Sequence, residues 1–100
     1  MNVIFADDEL DKLETEIEYV AKNVPQGITK ICRKRMQYIR SAEDERDFYK
    51  MKSLRFEKLD GKRKHQHSMR FNDQYRLIVE LIEENSRGKT IKIVGIEDYH

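Results

Sequence analysis

Two stretches carry residue types that do chemistry together. Residues 62–76 run Lys-Arg-Lys-His-Gln-His-Ser-Met-Arg-Phe-Asn-Asp-Gln-Tyr-Arg, and the sequence closes on Asp98, Tyr99 and His100. Histidine titrates near neutrality and serves as general acid or base, while a tyrosine beside it can stack on a base or orient a proton. The plainer alternative for the tail is a packed Tyr99 with His100 in water. If Asn72 and Asp73 form a two-residue hairpin turn, Arg70 and Arg76 come to lie near each other, a few residues from the turn. Facing guanidiniums repel unless something anionic sits between them, and phosphate oxygens fit the guanidinium fork. Periodicity leaves a second arrangement open, with the two arginines on different faces or paired with Asp98 or Glu80. Lys62, Arg63 and Lys64 in the adjoining loop, together with Lys58, would hold a nucleic-acid backbone irrespective of its sequence. His65 and His67 have the spacing of some strand-borne metal ligands, but no cysteine or third ligand completes a set. A polar loop histidine beside phosphate is therefore expected, with no metal and no cofactor. RNA cleavage fits this inventory. RNA brings its own nucleophile, the 2′-OH, and needs a base, cations around the pentavalent phosphorane, and an acid for the 5′-oxygen.

These groups need elements to hold them. Residues 2–5 have the composition of a short strand, and Asp7, Asp8 and Glu9 suit the positive end of a helix dipole. Leu10, Leu13, Ile17 and Val20 recur at helical spacing, and residues 23–27, with Pro25 and Gly27, punctuate the chain. A second helix from about Ile28 carries Ile28, Ile31, Cys32, Met36 and Ile39 on one stripe, with Lys30, Arg33, Lys34 and Arg40 mostly turned away. The two helices are expected to form an antiparallel hairpin, with Cys32 a buried, unreactive thiol. Ser41 and Asp44 have the spacing of a capping box, followed by a helical turn carrying Phe48 and Met51. Residues 54–58 alternate like a strand, residues 60–66 form a loop around Gly61, and residues 67–71 resume a strand. Residues 74–82 give the strongest strand, with Tyr75, Leu77, Val79 and Leu81 on one face and Arg76, Ile78, Glu80 and Ile82 on the other. A turn at 84–88 leads to a last strand at 91–96. That strand should run beside 74–82 and carry Tyr99 and His100 toward the basic loop. The order of elements is that of an α+β protein, an N-terminal helical hairpin packed on a small, twisted, mainly antiparallel sheet.

Composition bounds the reading. One hundred residues suit one domain, 1–100, with a modest core; 38% are hydrophobic and 39% charged, with one proline and four glycines. No apolar run reaches membrane length, the N-terminus lacks the pattern of a signal peptide, and a lone cysteine is compatible with a reducing cytoplasm. The net charge of +1 conceals asymmetry: residues 7–18 hold seven acids against Lys12, and residues 50–76 hold nine Lys or Arg against Glu57, Asp60 and Asp73. A basic segment in a near-neutral chain points to a polyanion-facing surface, or to no more than a solvated charged face.

The element order, residues 56–63 (Phe-Glu-Lys-Leu-Asp-Gly-Lys-Arg), residues 68–77 (Ser-Met-Arg-Phe-Asn-Asp-Gln-Tyr-Arg-Leu) and the terminal Asp98, Tyr99 and His100 together resemble the HigB toxins of the RelE/ParE superfamily. The resemblance spans essentially the whole chain and is strongest from residue 54 onward. It implies the toxin of a bacterial type II toxin–antitoxin system: a small endoribonuclease that cuts mRNA on the ribosome and so blocks translation. Its partners would be the ribosome, mRNA and a HigA-type helix-turn-helix antitoxin, with operator DNA reached only through that antitoxin and no membrane involved. Carried over by position, Asp98, Tyr99 and His100 match the family's functional tail, Arg76 the arginine after the hairpin aromatic, and Arg63 the basic loop position. Two positions depart from the pattern. Asp60 stands where the family commonly has a lysine before glycine, with Lys58 and Lys62 on either side, and His67 stands where tryptophan is usual.

The expectation is a cytoplasmic, metal-independent endoribonuclease. His100 would transfer the proton, Tyr99 and Asp98 would orient substrate or histidine, and Arg76, with Arg63 and Arg70, would stabilise phosphate charge. Lys58, Lys62, Lys64 and His67 would contact RNA. Two alternatives differ in kind: a ParE-like inhibitor of DNA gyrase, which needs no terminal Tyr-His pair, and a regulatory nucleic-acid-binding module with a degenerate site, for which Asp60 is the best support.

Overall fold

The computed structural model of the protein describes residues 1–15, 26–82 and 89–98. Strand β1 (Asn2–Phe5) leads into helix α1 (Asp8–Thr15), where the Asp7 carboxylate accepts from the Leu10 amide at 3.1 Å and so satisfies one of the unpaired donors of the first turn. Helix α2 (Gln26–Ser41) and the short helix α3 (Arg46–Lys50) follow, then strands β2 (Glu57–Lys58), β3 (His67–Arg70), β4 (Tyr75–Ile82) and β5 (Thr90–Asp98). The five strands form one sheet in the order β1-β5-β4-β3-β2. Every pairing is antiparallel except that of β1 with β5. No helix among the described residues is long and apolar enough to cross a membrane.

The core lies between α2 and one face of the sheet. Ile28, Cys32, Met36 and Ile39 recur at helical spacing, are buried, and meet Met69, Leu77, Val79, Ile91 and Ile93. Tyr75, Leu81 and Ile96 pack at its margin. Phe48 of α3 is fully buried, 6.1 Å from the Tyr38 ring centroid and 5.2 Å from that of Phe56. Lys30, Lys34 and Arg40 are exposed, and Arg33, expected to turn mostly away with them, is half-buried. Helix α1 touches both β1 and α2, and Leu10 packs against the core. The side chain of Leu13, Ile17, Val20, residues 23–25 of the turn expected at 23–27 and the whole turn expected at 84–88 lie outside the described residues, while Gln26 and Gly27 begin α2 rather than a turn.

Several local expectations give way to competing interactions. The strand expected at 54–58 shrinks to Glu57–Lys58, because Lys52–Leu54 close a 3-10 turn and Arg55 takes a left-handed conformation at φ 45°. That pair of turns drives both Leu54 and Phe56 into the core, which an even strand alternation through 55 could also have satisfied. Ser41 and Asp44 form no capping box. Ser41 is the last residue of α2 and its hydroxyl donates back to the Tyr38 carbonyl at 2.8 Å. Asp44 accepts from the amide and guanidinium of Arg46, which hold its carboxyl down at about 2. The hairpin loop has three residues rather than two. Phe71 donates to the Tyr75 carbonyl at 3.0 Å, and the Asn72 side chain accepts from the amides of Gln74 and Tyr75, both at 2.8 Å, building the turn from inside.

One irregularity in β5 governs the remainder. Ile78 pairs with Gly95, yet its neighbour Val79 pairs with Ile93, leaving Val94 as an extra residue. This β-bulge resets the alternation. Ile91 and Ile93 face the core before it; after it the core-facing residue is Ile96, opposite Leu77, and Glu97 takes the outer face opposite Arg76.

Phe48 joins α3 to both α2 and the segment before β2, so Phe48→Ala should empty a site that three elements enclose. The expected cost is about 3–5 kcal/mol of unfolding free energy. A lower urea midpoint at unchanged slope would report it; an unaltered midpoint would show that the ring is dispensable.

Candidate functional site

The face of the sheet away from α2 carries the polar groups. Arg70 of β3 lies directly opposite Arg76 of β4, and Arg76 directly opposite Glu97 of β5, so the three form one row across the sheet. Opposed residues of an antiparallel pair share a face, and the two arginines therefore stand side by side rather than on different faces. The next row runs Glu57, Ser68, Ile78, Gly95, and beyond it Glu80 faces Lys92. Arg76 Nη1 donates to the buried Ser68 hydroxyl at 3.4 Å. Arg70 is paired with the Asp73 carboxylate across the hairpin loop. From α2, Arg35 Nε donates to the Arg70 carbonyl at 3.3 Å, and burial, then the Arg70 charge, push the Arg35 guanidinium below its usual value.

The basic loop closes over this face. Gly61–Arg63 form a 3-10 turn entered through Gly61, whose φ of 64° favours a residue without a Cβ. Arg63 then reaches β5: Nη1 donates to Glu97 Oε1 at 2.9 Å and Nη2 to Oε2 at 2.5 Å. Its Nε donates to Gln66 Oε1 at 3.0 Å, and Gln66 Nε2 to Glu80 Oε2 at 3.2 Å. His65 Nε2 lies 4.0 Å from the same Glu80 oxygen. The chain of contacts thus runs from β5 through the loop to β4, on either side of Ile78. This accounts for Ile78, which shares the polar face yet is fully buried and stands apart from the main core.

Arg63, Arg70 and Arg76 are therefore brought together. Lys62, Lys64 and Asp60 are exposed in the same loop. Lys58 and His67 are not part of this face. They are opposed to each other on β2 and β3, and His67, one residue out of step with Ser68 and Arg70, stacks on Phe56 at 4.7 Å and 10° between ring planes. Burial, and next the Lys58 charge, lower the His67 pKa. His65 and His67 consequently diverge and offer no shared metal-ligand face. Asp98 lies opposite Tyr75, one rung beyond the Arg76–Glu97 pair, and its carboxylate accepts from Gln74 Nε2 at 3.0 Å. Tyr99 and His100 lie outside the described residues. Sequence reasoning passed over Ser68, Gln66, Glu97 and Arg35. Ser68 shares the parity of Arg70 and was within reach of the alternation argument, whereas the face of Glu97 depends on the bulge.

A mainly antiparallel five-stranded sheet with one parallel edge strand, few helices, and arginines on the face away from α2 defines the class: the RelE/ParE-like toxin fold. A solved structure of a YoeB/ParE toxin from Agrobacterium tumefaciens superposes with a TM-score of 0.60 over 100% of both chains, at 13% identity, a likeness of fold. No curated protein matches the chain. Residues 3–93 match the HigB-like toxin family, described as the RelE-like toxin of type II toxin–antitoxin system HigB. The chain belongs to that family, and a toxin of a type II system implies an antitoxin partner.

The lowered His67 pKa has a definite sign. The folded protein holds His67 neutral where the unfolded chain takes up a proton, so this residue lends stability above the ordinary histidine value of 6.5 that is lost as pH falls through the lowered folded value. His67→Phe keeps the ring stack on Phe56 and removes the titration. Its melting temperature should fall less than that of the parent between pH 7.5 and 5.5; parallel profiles would remove His67 from the acid response.

Proposed function

We propose that this HigB-like toxin is a ribosome-dependent endoribonuclease that cuts mRNA by attack of the 2′-OH, and that a HigA-type helix-turn-helix protein neutralises it. The observation that carries the reading is the directly opposed Arg70–Arg76 pair on the face of the sheet away from α2, with Arg63 held nearby. Two like charges on one rung are unfavourable by themselves, and a phosphodiester between them relieves the repulsion. Toxins of the RelE/HigB type are generally endoribonucleases, which agrees with this chemistry.

In the reaction Arg76 lies against the scissile phosphate and, with Arg70 and Arg63, stabilises the added charge of the phosphorane. His100 moves the proton, either from the 2′-OH or to the leaving 5′-oxygen, with Tyr99 and Asp98 orienting it or the substrate. Lys62 and Lys64 hold the backbone on either side of Arg63. Lys58 and His67 contact RNA only where it wraps past the β2 edge. No step asks for a metal ion, and the site of action is the cytoplasm.

Loss of a general acid or base costs about a hundred- to ten-thousand-fold in rate. Deleting His100, or replacing it by alanine, should leave a protein that melts normally and binds its antitoxin but neither arrests growth nor generates new mRNA ends. Glutamine should fail to rescue it, since an amide exchanges no proton near neutral pH. A normally melting, fully toxic deletion would overturn the nuclease reading in favour of gyrase inhibition.

Asp60 is an exposed acid beside the basic turn. Asp60→Lys should preserve or raise mRNA cleavage, whereas alanine at Lys58 and Lys62 together should lower it. Normal cleavage by that double variant, with an inactive Asp60→Ala, would make Asp60 itself a participant.

A further inference from the structure

We infer that Glu97 is a positioning residue that fills the anion place of the arginine site in the free toxin, so that an incoming phosphate binds by displacing the Glu97 carboxylate from Arg63. The inference rests on the RNA-binding reading of this face and adds to it a competing group.

Four observations converge on Glu97. It lies on the same rung as Arg76 and Arg70, at the end of the row. It receives two hydrogen bonds from the fork of Arg63, one to each carboxylate oxygen, at 2.9 and 2.5 Å, the pairing by which a guanidinium grips a phosphate. The contact is open to exchange, because the side chains of Arg63 and Glu97 are 45% and 40% exposed. Finally, Glu97 owes its outward facing to the bulge at Val94; with regular alternation from Ile93 it would face the core.

The electrostatics give the consequence. Arg63, Arg70 and Arg76 bring three positive charges to the row, and Glu97 and Asp73 bring two negative ones, so in the free state most of the attraction for a polyanion is cancelled within the protein. A phosphate that takes Arg63 must separate it from Glu97 and then tolerate that carboxylate nearby. The same carboxylate keeps Arg63 and its loop over the sheet, where Gln66 and Glu80 complete the tether. Glu97 thereby sets both the place of Arg63 and the strength with which the row attracts RNA.

The test is a salt titration of binding to a fluorescent single-stranded RNA oligonucleotide carrying 2′-O-methyl groups, which lacks the nucleophile and stays intact. Glu97→Gln and Glu97→Ala are each expected to tighten low-salt binding about two- to fivefold, the range for an exposed ion pair. They should also steepen the slope of log affinity against log salt, by at most about 0.7, because no freed carboxylate takes up a counterion when the phosphate occupies Arg63. The gain should vanish in an Arg63→Ala background, because the two residues act as a unit. A merely structural role predicts weaker or unchanged binding with no steeper slope. If parent binding weakens on Arg76→Ala but neither Glu97 variant tightens it, the displacement inference fails and the site reading stands. An oligonucleotide that the parent does not bind, or binds equally after Arg76→Ala, overturns the reading of this face and the inference with it.

Discussion

A strand with ladder partners on both edges cannot slip by one residue without exchanging every side chain between core and solvent, and β4 is held in that way by β3 and β5. Leu77 and Val79 are wholly excluded from water against the helix layer. Their burial is what aims Arg76 and Glu80 at the opposite face. A register error would place a guanidinium and a carboxylate among Met36, Ile39 and Met69, at a cost of several kcal/mol for each unpaired charge. The apolar side of β4 therefore determines the orientation of its polar side. The arginine row derives its precision from the core, through the backbone, without needing a rigid shell of its own.

That row is balanced rather than merely basic. The Arg70–Arg76 opposition would weaken the β3–β4 hairpin if left alone. It is offset by Asp73 within the loop and by Glu97 on the next strand, while Ser68, buried beneath, takes a hydrogen bond from Arg76. The basic loop is treated similarly, since Arg63 is tied to β5 and Gln66 to β4, leaving Lys62 and Lys64 exposed. A near-neutral chain can in this way keep a strongly cationic ligand-facing group without repelling itself apart.

The parts of this arrangement that follow from local periodicity were legible in the sequence. The α2 stripe, the two faces of β4 and the closeness of Arg70 to Arg76 all follow from spacings of two, three and four residues. Closeness of the arginines holds even though the hairpin loop is longer than expected, because Asn72 folds its side chain into the turn and shifts the pairing to Arg70 with Arg76. What escaped were effects that depend on distant partners or on single backbone departures. Arg63 and Glu97 are 34 positions apart in sequence, and nothing in their neighbourhoods announces the pairing. The left-handed Arg55 removed the first part of a strand that composition favours, and Ser41 bonded backward into α2 where a forward cap was expected. His65 belongs to the loop, but His67, two residues on, is the first residue of β3, where facing is set by pairing with Val79 rather than by the loop.

Val94 turns the end of β5 into a matter of counting. From Ile93 to Asp98 the side on which each residue emerges depends on whether the intervening number is odd or even, and the extra residue changes that parity once. A chain shortened by one residue at Gly95 or Ile96, with the bulge kept, could still pair with β4, but Asp98 would then occupy the rung of Glu97, with a side chain one methylene shorter, and Glu97 would move to the rung of Ile96. Substitutions along this segment leave the count intact, and loss of Val94 itself would only remove the bulge and keep Glu97 opposite Arg76, whereas any other single-residue insertion or deletion that keeps the bulge shifts everything downstream by one rung. The last strand should accordingly vary freely in side-chain identity at its exposed positions over evolution, while its length changes only together with the bulge.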